Sequence, residues 1–353
     1  MGVAYHGAVL AAIEEVTGWD PRKADVIVGT SAGSISAAML RAGVAAGDLM
    51  RISEGQPLSL EGARLAEVGK PHRPRPQPRD VLHIRPVADP LGVVHGFAHP
   101  RSHPLGALLA ALMPSGGIPT RAISNGIDAV YAGAWPAELL WLCAIGLRDG
   151  RRVVFGQPDS PEARVGQAVA ASSAVPAYFQ PVTIGGRRYV DGGMRSPTNM
   201  DLMAGAGMDL VIVSSPMSQA EARPANAAGA LMRQPFRAYL RAEVAALRRT
   251  GVPVVAIEPS RQVAQAMGLN PMDARPRGAV SRVTRANVAR WLAQDMEGRW
   301  LVAMLAVAAA SAAAGQEPAL RSAAVGQEPV LRSAAVPAAG SAAGFGGTLL
   351  PSA

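Results

Sequence analysis

The sequence predicts an α/β protein, a sheet with helices on both faces, and three observations carry that reading. Short β-branched runs at 25–28, 209–214 and 252–257 alternate with longer helix-compatible segments. Residues 26–34 read Val-Ile-Val-Gly-Thr-Ser-Ala-Gly-Ser, an apolar triplet that enters a tight turn and leaves it through small helix formers. Residues 182–190 form an apolar hairpin pattern around Gly185-Gly186.

Taken in order, residues 2–50 read helix, strand, turn, helix. Residues 52–105 read as irregular. Within them, 70–79 alternates proline with basic residues, which suits an extended surface segment. His95, His99 and His103 recur every four residues, but Pro100 and Pro104 interrupt the helix that would align them, so no metal site is assigned. The position of this stretch suits a cap over a site. Strands are expected at 139–147 and 152–156, around the turn Asp149-Gly150. A helix at 162–172 leads into the hairpin. A helix at 199–206, the strand 209–214, a helix near 228–250, the strand 252–257 and a helix at 283–296 follow, the last with Trp291 on its apolar side. The run 300–314 is Ala-rich and, at about 15 residues, short for a membrane span; a packed terminal helix is expected. Residues 315–325 recur with one change at 326–336. This repeat has too few large apolar residues to build a core. The expected division is therefore a domain over 1–310 and a disordered tail over 311–353.

Composition bounds the function. Of 353 residues 49% are hydrophobic but only 4% aromatic, so Ala, Val and Leu must build the core. The formal net charge is +8, almost all of the positive charge arginine. Such a surface suits peripheral contact with an anionic membrane. No basic, aromatic-rich nucleic-acid motif occurs, and no Cys/His pairs have zinc spacing, so neither nucleic acid nor a metal or other cofactor is expected. The single cysteine, Cys143, lies in an apolar run and reads as a buried structural thiol; it excludes a disulfide framework. The N-terminus lacks a cationic n-region and carries Glu14 and Glu15, which is not a signal-peptide pattern and points to a cytoplasmic location.

Gly29-Thr30-Ser31-Ala32-Gly33 is a G-x-S-x-G between a strand and a helix, the context of a nucleophile elbow. The alternative reading is an ordinary strand-to-helix turn whose serine caps the helix. All six histidines, at 6, 72, 83, 95, 99 and 103, precede residue 104, so a late catalytic histidine is impossible. Ser31 uses either a histidine from 72–103 or none. A second motif, Asp191-Gly192-Gly193, puts an acid at a strand end beside two glycines. Alone it also reads as an Asx-type turn.

Together the two motifs resemble the patatin-like phospholipase family. Tyr5-His6-Gly7-Ala8-Val9-Leu10 with Ile13-Glu14-Glu15 is similar to that family's first helix. Ala171 to Phe179 is similar to the small-residue segment before its D-G-G hairpin, and Pro197 and Asn199 follow in place. The resemblance spans about residues 2–300. It implies a Ser-Asp dyad, with Ser31 as nucleophile and Asp191 as base, flanked by Gly29, Gly33 and Gly192. The implied activity is hydrolysis of phospholipid or other fatty acyl esters through an acyl-enzyme. Family members begin with a strand and a G-G-G-x-R/K-G loop that supplies oxyanion donors. Here Gly2 matches the last glycine of that loop, and the first strand has no counterpart. Two readings stand: the true start lies upstream, which the intact remaining motifs favour, or the chain is a catalytically impaired lipid-binding copy. An acyltransferase working through the same acyl-enzyme is a further alternative.

Overall fold

A computed structural model describes residues 1–68, 87–98, 105–221, 227–270 and 272–313. The chain begins with helix α1 (Gly2–Thr17) and strand β1 (Val26–Gly29), followed by α2 (Ala32–Arg41), α3 (Ala46–Glu54), α4 (Leu60–Val68), α5 (Pro90–Ala98), α6 (Leu105–Leu112) and α7 (Arg121–Tyr131). Strands β2 (Leu139–Gly146) and β3 (Arg152–Phe155), helix α8 (Val165–Ser172) and the hairpin β4 (Val182–Ile184) and β5 (Arg187–Asp191) come next. Then follow β6 (Val211–Ser214), α9 (Ala227–Arg248), β7 (Val254–Ile257), α10 (Arg261–Met267), α11 (Arg277–Gln294) and α12 (Met296–Ala313).

β2 organises the sheet. Its first half pairs in parallel with β1, ending at Gly29 opposite Leu142. Its second half pairs antiparallel with β5, ending at Asp191 opposite Ala144. β3 pairs with residues 142–145 and so occupies the other edge. β1 and β5 therefore share one edge of β2, and their C-terminal ends meet end to end opposite Cys143. β4 extends the sheet beyond β5, and β6 and β7 form a separate parallel pair. Among the described strands β1 is paired on one edge only.

The period of two decides what each face of β2 buries. Leu140, Leu142 and Ala144 point to a core of α2, α7 and α8 residues with Phe155 and Tyr189. Trp141 points the other way, toward a core of β6, β7 and α9 residues that also touches Val26 and Val28. Ile145 and Leu147, on that same face, meet Ala88, Ala110 and Ala111 from the α5–α6 hairpin. A further core packs α1 against α11, α12 and β7. Each fully buried Leu, Ile or Phe adds about 1.5–3 kcal/mol. The small residues Ala37, Ala38, Ala168 and Ala171 let the helices approach the sheet closely.

Two expectations are corrected. The stretch expected to be irregular holds the end of α3, all of α4 and α5 and the start of α6; Leu105–Leu112 reads LGALLAAL, a run of strong helix formers outweighing the nearby prolines. The helix expected at 199–206 is only a 3-10 turn, Met200–Met203. Asn199, Gly205 and Gly207 all take positive φ, which stops helix growth at both ends. The proline-alternating segment 70–79, His72, His83, His99, His103 and the repeat at 315–336 lie outside the described residues. Among the described residues no helix is long and apolar enough to cross a membrane.

Candidate active site

Ser31 stands between β1 and α2 with φ 54° and ψ −125°, a conformation a side chain rarely adopts. Holding it costs about 1–3 kcal/mol, so surrounding contacts must fix it. They do so on every side. The Ser31 N–H donates to both the carbonyl and the hydroxyl oxygen of Ser172, each at 3.1 Å. The Ser31 carbonyl accepts from Ser34 Oγ at 2.6 Å and Ser173 Oγ at 3.2 Å. One residue earlier, Thr30 Oγ1 accepts from Asn199 Nδ2 at 2.9 Å. Asn199, itself at φ 50°, is held by Arg152, whose guanidinium donates to its Oδ1 at 3.1 Å. Ser34, Ser172 and Asn199 are fully buried, so each of these polar groups must be satisfied internally. Gly29 has a steric reason: a Cβ there would come within 2.6 Å of Ser34 Cα.

Asp191 ends β5, and its backbone N–H donates to the Ala174 carbonyl at 3.1 Å. Its Oδ1 accepts from the Gly193 N–H at 2.8 Å across the 3-10 turn Gly192–Met194. A Cβ on Gly192 would lie 2.4 Å from the Cys143 carbonyl oxygen, so only glycine brings this turn down onto β2. The Ser31 hydroxyl stands close enough to the Asp191 carboxyl to favour its charged form. Asp191 is 5% exposed. Burial pushes its carboxyl up to about 6, while the Ser31 hydroxyl and the Gly193 N–H hold it down. The end-on meeting of β1 and β5 is what brings together two residues so distant in sequence.

Gly2 lies in the first turn of α1, and a Cβ there would be 2.4 Å from Ala32 Cβ. The N-termini of α1 and α2 thus converge beside Ser31. The first N–H groups of each helix have no intrahelical partner, and both helix dipoles place positive ends there. Gly33 has a weaker steric reason, since its Cβ would make only ordinary contact, 3.6 Å, with His6 Nε2.

Sequence reasoning missed the role of His6. It is buried behind this junction, with Nδ1 2.8 Å from Ser214 Oγ, tying α1 to the end of β6. Burial lowers its pKa to about 4, which keeps the ring neutral. The only signal was a histidine on an otherwise apolar helix. The bracing serines were visible only as small residues. Cys143 is buried, and burial pushes its thiol up to about 12, which removes it as a nucleophile. Among the described residues no group of three or more His, Cys, Asp or Glu could hold a metal.

The arrangement offers a hydroxyl on a strained turn, a carboxylate that accepts a proton near neutrality, and two helix N-termini able to face an anion. A family model described as patatin-like phospholipase matches residues 1–204, a span that contains Ser31 and Asp191. No curated protein matches the chain.

Proposed function

The chain belongs to the patatin-like phospholipase family, lipid hydrolases in general, and from that premise we propose that it cleaves fatty acyl esters through a Ser31–Asp191 dyad. The observation that carries this is the buried Asp191 carboxyl, raised to about 6 beside the hydroxyl of a strained Ser31. An ordinary carboxylate is too weak a base for serine, and desolvation narrows that gap.

In the proposed reaction Ser31 Oγ attacks the acyl carbon and its proton passes to an Asp191 oxygen. The oxyanion that forms faces the Ala32 N–H at the start of α2, with the first turn of α1 alongside. Collapse breaks the bond to the leaving oxygen, which takes the proton back from Asp191. Water then attacks the acyl-serine, Asp191 again accepting the proton and returning it to Ser31 Oγ. Neutral His6 keeps α1, β6 and the elbow in register without touching the reacting atoms.

The test is covalent trapping by a fluorophosphonate together with turnover of a short-chain p-nitrophenyl ester. An adduct on Ser31, absent in Ser31→Ala and slow to form in Asp191→Asn, is expected. Labelling elsewhere, or an Asp191→Asn protein with most of its activity, would refute the dyad.

A further inference from the structure

Among the described residues, helices α5 and α6 bury one side and expose the other. Ala88, Ala110 and Ala111, with Val93, pack on Ile145, Leu147 and Val190, and on Met194 of the turn that follows Asp191. A Cβ on Gly92 would come within 2.8 Å of the Leu147 carbonyl oxygen, so α5 lies directly on the end of β2. The outward side carries Val87, Leu91, Val94, Leu109, Leu112 and Met113, with Leu91 61% and Val94 65% exposed. Single exposed apolar residues are ordinary, but six on two packed helices and their flanks form an apolar surface.

The patch has a cationic border. The β2–β3 turn presents Arg148 and Arg151, and the β4–β5 hairpin presents Arg187 and Arg188. Two of these arginines are tied to the start of the hairpin. Arg188 donates to the Ala88 carbonyl at 2.6 Å and pairs with Asp89 at 3.0 Å, and Arg148 reaches Asp89 at 3.7 Å. Arg187 lies 4.0 Å from Asp149. Arg148, Arg187 and Arg188 against Asp89 and Asp149 leave the border positive. An apolar centre with a positive border is complementary to an anionic bilayer, whose phosphates accept from guanidinium and whose acyl region takes up Leu and Val. A second copy is a poor occupant, because a two-fold contact would set like charge against like. The surface also adjoins the chemistry. Cys143, opposite the dyad, and Leu147, under α5, lie four residues apart on the β2 chain, or about 13 Å.

We propose that the α5–α6 hairpin and its arginine border are the surface on which this protein docks to an anionic phospholipid bilayer. The purpose of this docking rests on the acyl-hydrolase reading; the binding itself does not.

The experiment is co-sedimentation of the full chain, as Ser31→Ala, with phosphatidylcholine vesicles and with vesicles containing phosphatidylglycerol. Binding to the anionic vesicles is expected. The double change Leu91→Ser, Val94→Ser should weaken it by about tenfold or more. Arg148→Gln with Arg187→Gln should remove most of the preference for anionic lipid, also about tenfold. In otherwise unaltered protein both pairs should depress turnover of vesicle phospholipid while leaving a soluble short-chain ester untouched. Vesicle binding equal to the parent in both pairs would overturn the proposal, as would substitutions that dissociate a dimer yet leave vesicle binding intact. Vesicle binding that depends on these residues, in a protein inert toward every ester, would sink the hydrolase reading and leave the docking surface standing.

Discussion

The elbow at Ser31 and the hairpin of α5 and α6 flank the same turn, Asp191–Met194, and are built in different ways. The elbow is held by buried hydroxyls and an amide, from Ser34, Ser172, Ser173 and Asn199, each with its hydrogen bonds spent on backbone or on a neighbouring side chain. The hairpin is held by alanines pressed on β2, and its large side chains face outward. Strained backbone needs directional contacts, since a hydrogen bond fixes an atom and an apolar contact only fills space. A surface meant to meet something fluid needs area without directional demands. Substitutions in the elbow should therefore move catalysis and stability together, while substitutions on the outer side of the hairpin should move neither in free solution.

The sharpest way to break this contrast is at the dyad. Ser31→Ala and Asp191→Asn should each lower kcat for a soluble ester by at least about 10³-fold, and the double variant should be little worse, because the two act as a unit. In the parent, kcat/KM should rise through about pH 6 as Asp191 ionises. A pH-independent rate across that range would separate Asp191 from the chemistry.

Asp191→Asn should also stabilise the protein. Between the usual carboxylate value, 3.8, and about 6, the folded state holds a proton on Asp191 that the unfolded chain has lost. Stability from this group therefore falls as pH rises through that window, and above it the cost is complete, up to about 3 kcal/mol. His6 acts in the opposite sense. Between about 4 and 6.5 the unfolded chain binds a proton that the buried ring does not, so stability rises with pH. The two slopes oppose each other in the parent. Urea unfolding from pH 4 to 8 should show a steeper rise in Asp191→Asn than in the parent, with the variant the more stable above pH 6. An equal pH dependence in the two proteins would show that Asp191 is not desolvated.

Smaller effects sharpen the contrast. Asn199→Ala should cost about 1–3 kcal/mol by leaving Thr30 Oγ1 and the Arg152 guanidinium short of a partner. It should lower kcat more than it raises KM, since it loosens the nucleophile rather than the substrate. An unchanged kcat would mean that the serines alone hold the turn. Leu91→Ser should shift the unfolding midpoint in solution by no more than about 0.5 kcal/mol in stability, because that side chain is mostly in water already. A larger loss would show that something covers the hairpin.

The tight turns at Ser31 and Asp191 were legible in the sequence because their packing demands glycine. Gly29 and Gly192 each occupy a place where a Cβ would strike backbone, of α2 in the first case and of Cys143 in the second, and the motif records that crowding. Asn199 was legible as a position but not as a brace, since nothing in a linear sequence says that it reaches Thr30. Ser172 and Ser173 read as merely small. The hairpin was hidden for another reason. Its helices are short and bordered by proline, and neither carries the polar stripe that marks a surface helix. An outward face as apolar as the inward one erases the periodicity on which sequence reading depends. His6 was lost in the same way, on a helix buried almost all round.

The place of Cys143 has a practical consequence. It is the one thiol of the chain, it is buried, and it lies opposite the point where β1 and β5 meet. A thiol with no access to solvent and a value near 12 is silent to alkylating reagents while the sheet stays closed. Its rate of modification is therefore a clock for the opening of the junction on which the proposed dyad depends, readable by mass without any introduced label. A ligand that stops the clock is one that holds the two strand ends together.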